Sequence, residues 1–271
     1  MSGIVFRSLA ILTFIQFALG IALSPPSHAQ EWAVRRLTGT LKVVDLFSPA
    51  GSAMMNYAES LVTLDKDNNW VPCLAEDWRW LDDRTIEFAL RRGVTFQNGE
   101  RFNANAVRVN WEQYKKMECP RPMWFLVLPD ETVLKIVDEH TVRFTFSDPD
   151  GLAFVKFCWF FQFAPAFFRN CQFQERNWGY LPEPGPWGTG PFTLIEGTAS
   201  YAKPSDRVVL VAYEYYWDRR HPKVQRLIYD NALTKDRREA MRLCRETDGQ
   251  VDIVSHIRPL DTLKVAESPF A

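Results

Sequence analysis

Histidines, cysteines and paired carboxylates carry most protein chemistry, and here none of them is spaced to do so. The four histidines, His28, His140, His221 and His256, lie far apart, with no HExxH, CxxC or CxxC…HxxxH spacing. No metal site built by the chain is expected and no cofactor is implied, although a metal could still arrive inside a small chelating ligand. An exported hydrolase would need a nucleophile with a base, or two tuned carboxylates. The sequence contains no GxSxG, and no spacing singles out an Asp or Glu pair. Gly188-Thr189-Gly190-Pro191 resembles a phosphate loop only superficially, because it lacks the GxxxxGK[ST] lysine and the GxGxxG order. What remains is the chemistry of binding: small, flexible and aromatic residues that touch a ligand without transforming it.

Composition narrows the partners. The chain has 271 residues, 46% apolar and 24% charged, with a formal net charge of -1. Such a chain can bury a sizeable core, and it exerts no overall pull on nucleic acid or anionic membrane. No nucleic-acid partner is expected, and a monomer is. At the N-terminus, Arg7 precedes an apolar stretch from Leu9 to Leu23, followed by Pro25, Pro26 and then Ser27-His28-Ala29. This is the pattern of a secretory leader cleaved near Ala29, shorter than the roughly 20 residues of a membrane span. The expected location is a bacterial periplasm. The 5 cysteines are Cys73, Cys119, Cys158, Cys171 and Cys244, an odd number, so at least one stays unpaired. Cys158 with Cys171 would close a short loop, but buried free thiols acting as small hydrophobes are the simpler expectation.

The elements that must position any site follow from periodicity. Gly39 to Phe47 reads as a first strand, and Ser48 to Ala53 as a loop leading into a helix, a common place for a ligand. Thr85 to Leu90 alternates as a half-buried strand, and the same period returns at Val142, Phe144 and Phe146. Ala104, Val107, Trp111 and Tyr114 recur at helical spacing, predicting a helix over 104–117 capped by Asn103. Phe157 to Phe163, with Phe167 and Phe168, reads as buried structure. Val208 to Tyr213 and Arg226 to Ala232 are strand-like, Asp236 to Thr247 is helical, and Val251 to Ser255 is again strand-like. Asp236 and Glu239 are spaced as a capping box, and Gly249 stands where a left-handed residue would end the helix. The final run is a βαβ unit, and the fold class is α/β.

Three stretches resemble the dipeptide, oligopeptide and nickel-binding receptors of ABC importers, solute-binding protein family 5. From Tyr57 onward, ESLVTLDKDNNWVPCLAEDWRWLDDRTIEFALRRGVTFQNGE is similar to that family's strand, "PxLAxxW" segment, acidic turn and "FxLRxGVxFxxG". The match continues into RFNANAVRVNWE, where the acidic residue usual near Asn105 or Ala106 is missing. Pro186 to Leu194, PWGTGPFTL, carries the "GTGP" signature. Val209 to Ile253 carries Tyr216-Trp217, Pro222, Ile228-Tyr229 and a Gly249 to Ile253 segment, without the asparagine usual before the YW pair.

The resemblance implies a periplasmic binding protein type II-like fold with two lobes closing on a ligand. Residues 30–60 and 181–257 would form the first lobe, 61–180 a subdomain inserted in it, and 258–271 the start of the crossing. Relatives run on for as long again, so the second lobe is expected to be largely missing. The implied function is capture of a peptide, nickel chelate or similar small solute for an ABC importer permease, without catalysis. The alternatives are a periplasmic chaperone or sensor module without transport, or an exported hydrolase. By the same mapping the candidate ligand contacts are Ser48, Ser52, Met54 and Met55 in the Ser48–Met55 segment, then Met123, Trp124 and Phe125, and Trp187 beside the GTGP turn.

Overall fold

The computed structural model describes residues 38–46, 49–116, 127–170, 180–181, 185–200, 205–245 and 250–255. All of them fall in one compact unit, Leu37–Ala271. The leader expected at residues 1–29, the segment 258–271, and Gly249, Cys119 and Cys171 lie outside them. Among the described residues no helix is long and apolar enough to cross a membrane.

The chain opens on strand β1 (Thr40–Asp45) and turns at once into helix α1 (Pro49–Tyr57). The helix therefore begins earlier than the loop expected over Ser48 to Ala53. A proline at the first helical position explains this, since its fixed φ suits the helix and its missing N–H would have had no partner there. β2 (Val62–Leu64) and β3 (Trp70–Pro72) form a small hairpin, followed by β4 (Ala75–Trp80), β5 (Thr85–Leu90), helix α2 (Ala104–Tyr114), β6 (Val133–Asp138) and β7 (Thr141–Thr145). Two short helices, α3 (Ala153–Trp159) and α4 (Pro165–Asn170), account for the phenylalanine-rich stretch. After them come β8 (Tyr180–Leu181), β9 (Phe192–Glu196), β10 (Ala199–Ser200), β11 (Arg207–Ala212), β12 (Arg226–Asp230), helix α5 (Arg237–Arg245) and β13 (Ile253–Ser255).

These strands make two main sheets. One is five-stranded in the order β13-β1-β12-β11-β9, and the other four-stranded in the order β4-β5-β7-β6. In the first, β1 pairs in parallel with both β12 and β13, so the β12-α5-β13 crossover straddles β1. The crossover is held by Val44 of β1 packing with Ala240, Leu243 and Val251. The Asp236 carboxylate accepts the Glu239 N–H at 2.9 Å, the expected cap. The Glu239 side chain pairs with Arg242 instead of completing the box.

The four-stranded sheet buries one face. Phe88 and Phe144 meet Phe157 edge-on, at centroid distances of 4.7 and 4.9 Å, and Trp111 of α2 joins them. Asn103 caps α2 as expected, its side chain accepting the Ala106 N–H at 3.0 Å. The other face carries a row of paired charges in which Glu87 lies between Arg79 and Arg143. Those two guanidiniums cover the carboxylate so fully that Glu87 is 7% exposed on a face that otherwise meets water.

The GTGP turn joins these parts. The Gly190 N–H donates to the carbonyl of Tyr57, the last residue of α1, at 2.9 Å. On its other side the Gln97 N–H donates to Gly188 O at 2.9 Å, and Gln97 Nε2 donates to the carbonyls of Gly190 and Phe192 at 3.0 and 2.7 Å. A Cβ at Gly188 would stand 2.1 Å from Tyr57 O, and one at Gly190 2.5 Å from the same atom. Backbone cannot yield as a side chain tip can. Gly188→Ala and Gly190→Ala are therefore each expected to lower stability by about 1–3 kcal/mol or more, as overpacking does. Gly151→Ala, where a Cβ would meet nothing within 4 Å, should stay within about 0.5 kcal/mol. Urea denaturation of the three variants checks this.

Candidate functional site

In open α/β sheets, ligands sit beyond the carboxyl ends of the parallel strands. Here those ends are Asp45, Asp230 and Ser255, and α1 starts beside the first of them. Asp45 is fully buried. It accepts the Ser52 hydroxyl proton in a short hydrogen bond. Asn231, just past β12, brackets the same residue: its Oδ1 accepts the Asp45 N–H at 3.0 Å, and its Nδ2 donates to the Asp45 carbonyl. One amide side chain thus pins the end of β1 to the end of β12.

The next layer fixes the helix. Asn56 Nδ2 donates to the Ser52 carbonyl at 2.9 Å and to the Tyr229 hydroxyl at 3.0 Å, and that hydroxyl lies 3.3 Å from the same Ser52 carbonyl. Burial, with the Asp45 charge behind it, pushes the Tyr229 phenol up to about 12. It stays a neutral donor. A serine that donates to a carboxylate turns its lone pairs outward, and Ser52 is half-buried. The surface therefore offers hydrogen-bond acceptors backed by a buried negative charge, a setting suited to a ligand ammonium or amide N–H.

Of the residues singled out from sequence, Ser52 belongs to this cluster. Met54, one turn further on from Pro49, is 4% exposed and packs in the core with Tyr57, Phe192 and Leu210, so its reading as a ligand contact gives way to a packing role. The helical turn that carries Ser52 to the strand end rotates Met54 inward. Met55 is 54% exposed but lines a cavity at the other end of α1. Trp187 wedges between two core clusters. Its indole stands 2.2 Å from where a Gly185 Cβ would be, so Gly185 leaves room for the ring. Ser48, Met123, Trp124 and Phe125 lie outside the described residues. Asp45, Asn56, Tyr229 and Asn231 were not singled out. Asp45 alone carried a signal, as a carboxylate directly after the apolar pair Val43-Val44.

The cavity lies at the opposite pole. Phe192 pairs with Ala212, Val211 with Arg226, and Arg226 with Thr40, so the GTGP turn and everything packed on it flank the amino end of β1. There, about 410 Å³ is enclosed by residues that include Met55, Glu59, Cys73, Arg91, Phe161, Trp217 and Asp218. Glu59 receives the Tyr216 hydroxyl at 2.6 Å and the Trp217 indole N–H at 2.9 Å, with the Cys73 thiol at 3.7 Å. Burial raises the Glu59 carboxyl above its usual range, and those donors pull it partly back.

A raised carboxyl in a cleft is what a hydrolase would need, so Glu59 bears on that alternative. Both of its oxygens are taken by protein donors. Burial, reinforced by the Glu59 charge, drives the Cys73 thiol well up, which makes it a poor nucleophile. Asp218 is held below its usual range by hydrogen bonds from Arg220. The cluster joins α1, the β3 hairpin and the YW pair. Among the described residues Cys73, Cys158 and Cys244 are free thiols. Among the described residues no group of three or more His, Cys, Asp or Glu could hold a metal ion.

Residues 69–270 match the family described as bacterial extracellular solute-binding proteins, family 5 Middle. The chain belongs to that family. This family 5 chain is 27% identical over 187 residues to the glutathione-binding protein GsiB of Salmonella choleraesuis, covering 69% of itself and 34% of that protein. It is 26% identical over 216 residues to di/tripeptide-binding protein 1 of Pseudomonas aeruginosa, covering 73% of itself and 38% of that protein. Among solved structures it is similar to NikA from Brucella suis in complex with Fe(III)-EDTA. There the identity is 25% and the TM-score 0.58, over 75% of this chain and 41% of that one. The family 5 chain thus has the α/β, periplasmic binding protein type II-like fold. It spans little more than a third of the length of the curated relatives it matches.

The two buried carboxylates should leave opposite marks on stability. Glu59 is raised above its usual 4.5, so the folded state holds its proton longer than the unfolded chain does. Its favourable contribution is complete below pH 4.5 and is lost as pH rises through the raised value. Glu87 is lowered from the same 4.5 by hydrogen bonds from Arg143 and Arg79, so its contribution is present above pH 4.5 and fades as pH falls. In urea midpoints measured across pH, Glu59→Gln should gain on the unmodified chain as pH rises from 4.5, and Glu87→Gln should approach it as pH falls below 4.5. Parallel profiles for both variants would contradict the assignment.

Proposed function

We propose that this chain is the ligand-recognising first-lobe portion of an exported receptor that captures a small peptide-like or chelated solute and passes it to an ABC importer permease. The observation that carries the reading is the strand-end cluster of Asp45, Ser52 and Asn231, sited where α/β folds take their ligands, in a member of a solute-binding family. Its acceptor character suits a free ammonium or amide. Peptides offer both, and the matched relatives are named for glutathione and for di- and tripeptides.

In this reading residues 1–29 direct export to the periplasm and are removed near Ala29. Residues 30–60 and 181–257 form the first lobe, 61–180 its inserted subdomain, and 258–271 lead toward a second lobe. The mature protein works as a monomer, without nucleic acid. Closure of two lobes desolvates the solute on both faces and is the change a permease reads. One face alone gives up much of that burial, so the chain by itself binds weakly.

Catalysis is no part of the proposal, since the buried carboxylate and thiol are committed to structure. A chaperone or sensor role without transport is the competing reading, separable by whether small solutes bind at all. Calorimetric titration of the chain with glutathione, dialanine and a nickel–histidine chelate tests it. The expected result is binding of glutathione or dialanine with a Kd in the range of about 0.1–10 mM, weakened by Ser52→Tyr, which fills the strand-end surface. Heats equal to dilution for all three solutes, or binding indifferent to Ser52→Tyr, would overturn the proposal.

A further inference from the structure

We propose that the cavity at the foot of α1 is a second ligand site, separate from the strand-end surface, for a small organic carboxylate with an apolar body. Its volume of about 410 Å³ falls within the roughly 300–1,000 Å³ that small-molecule sites occupy. The charges in its lining decide what it can hold. Glu59 is saturated by Tyr216, Trp217 and Cys73, and Asp218 by Arg220 at 2.8 and 2.9 Å. Neither carboxylate is available to a cationic ligand.

Arg91 is different. Its Nε donates to the Cys73 carbonyl at 2.9 Å, and its guanidinium lies 4.5 Å over the Trp217 ring. The plane is thereby fixed by a hydrogen bond along one edge and by stacking on one face. Its terminal nitrogens have no partner among the described residues, although the side chain lines the cavity. A guanidinium held still with free N–H groups is a preorganised receptor for an oxyanion, and two parallel N–H donors match a carboxylate.

The rest of the wall is apolar where it matters. Phe161, Pro72 and Pro191 line the cavity with Met55, whose side chain is 54% exposed. Methionine adapts its shape to differing ligand bodies. Inorganic anions would leave this wall unfilled, and neutral amphiphiles would leave the Arg91 charge without a counter-ion. A carboxylate on an aliphatic or aromatic body satisfies both.

The test is NMR of the full chain labelled with 15N at the tryptophan indoles, titrated with N-acetyl-L-leucine and, as a neutral control, N-acetyl-L-leucinamide. The Trp217 indole N–H, which donates to Glu59, should shift saturably with the carboxylate, and the amide should bind at least about tenfold more weakly. Arg91→Gln should weaken the carboxylate by about tenfold or more and leave the amide unchanged. Met55→Trp, a change at an exposed position that keeps Arg91 intact, should weaken both by filling the mouth. Ser52→Tyr should change neither, which separates this site from the strand-end surface. Equal binding of acid and amide, carboxylate binding that survives Arg91→Gln, or no saturable shift of Trp217 up to about 10 mM would overturn the proposal.

Discussion

The Tyr57 carbonyl rests against Gly188 and Gly190, and this contact fastens the foot of α1. A helix ends with carbonyls that need partners, and α1 gives this one to the Gly190 N–H. The approach leaves no space for a Cβ at either glycine. From the far side the same turn receives Gln97, so one short segment fastens α1, the five-stranded sheet and the strand-rich segment 61–100 together. Glu59, two residues beyond Tyr57, makes a second fastening to Tyr216 and Trp217. Both hold the foot of α1. Its head is thereby placed at the end of β1, where Ser52 reaches Asp45.

This division of labour explains why the buried polar groups differ in character at the two ends of one nine-residue helix. At the head, Asp45 keeps a solvent-reachable hydroxyl between itself and the surface, and the surrounding groups are small amides and a neutral phenol. At the foot, Glu59 is enclosed by aromatic donors that consume its acceptors. The first arrangement leaves hydrogen-bonding capacity for a visitor, and the second spends it on cohesion. Arg91, over the Trp217 ring, keeps charged hydrogen-bonding capacity at the foot.

Much of the fold was legible because it is written in local periodicity. The strand at Thr85 to Leu90, the Asn103 cap and the β12-α5-β13 crossover all follow from patterns a few residues long. The family resemblance was legible for the same reason, since its motifs are the turns and caps the backbone requires. The site was harder. Asp45 and Asn231 are 186 residues apart, and no local pattern joins them. Ser52 was legible as a polar residue after a first strand, but the loop assigned to it is a helix because Pro49 starts one. Met54 and Met55 look alike in sequence, yet a rotation of about 100° per residue sends one into the core and the other toward the foot cavity.

In the proposed arrangement α1 is anchored at its foot and presents a solute-binding surface at its head. Backbone hydrogen exchange of the chain is measured with and without saturating dialaninamide, which keeps the ammonium and amide N–H but brings no carboxylate to Arg91. Added protection is expected only at residues 44–46, 52–56 and 229–231, with the amide of Gly190 among the slowest to exchange in either state. Added protection centred on the GTGP turn and the foot, with the head unchanged, would contradict it.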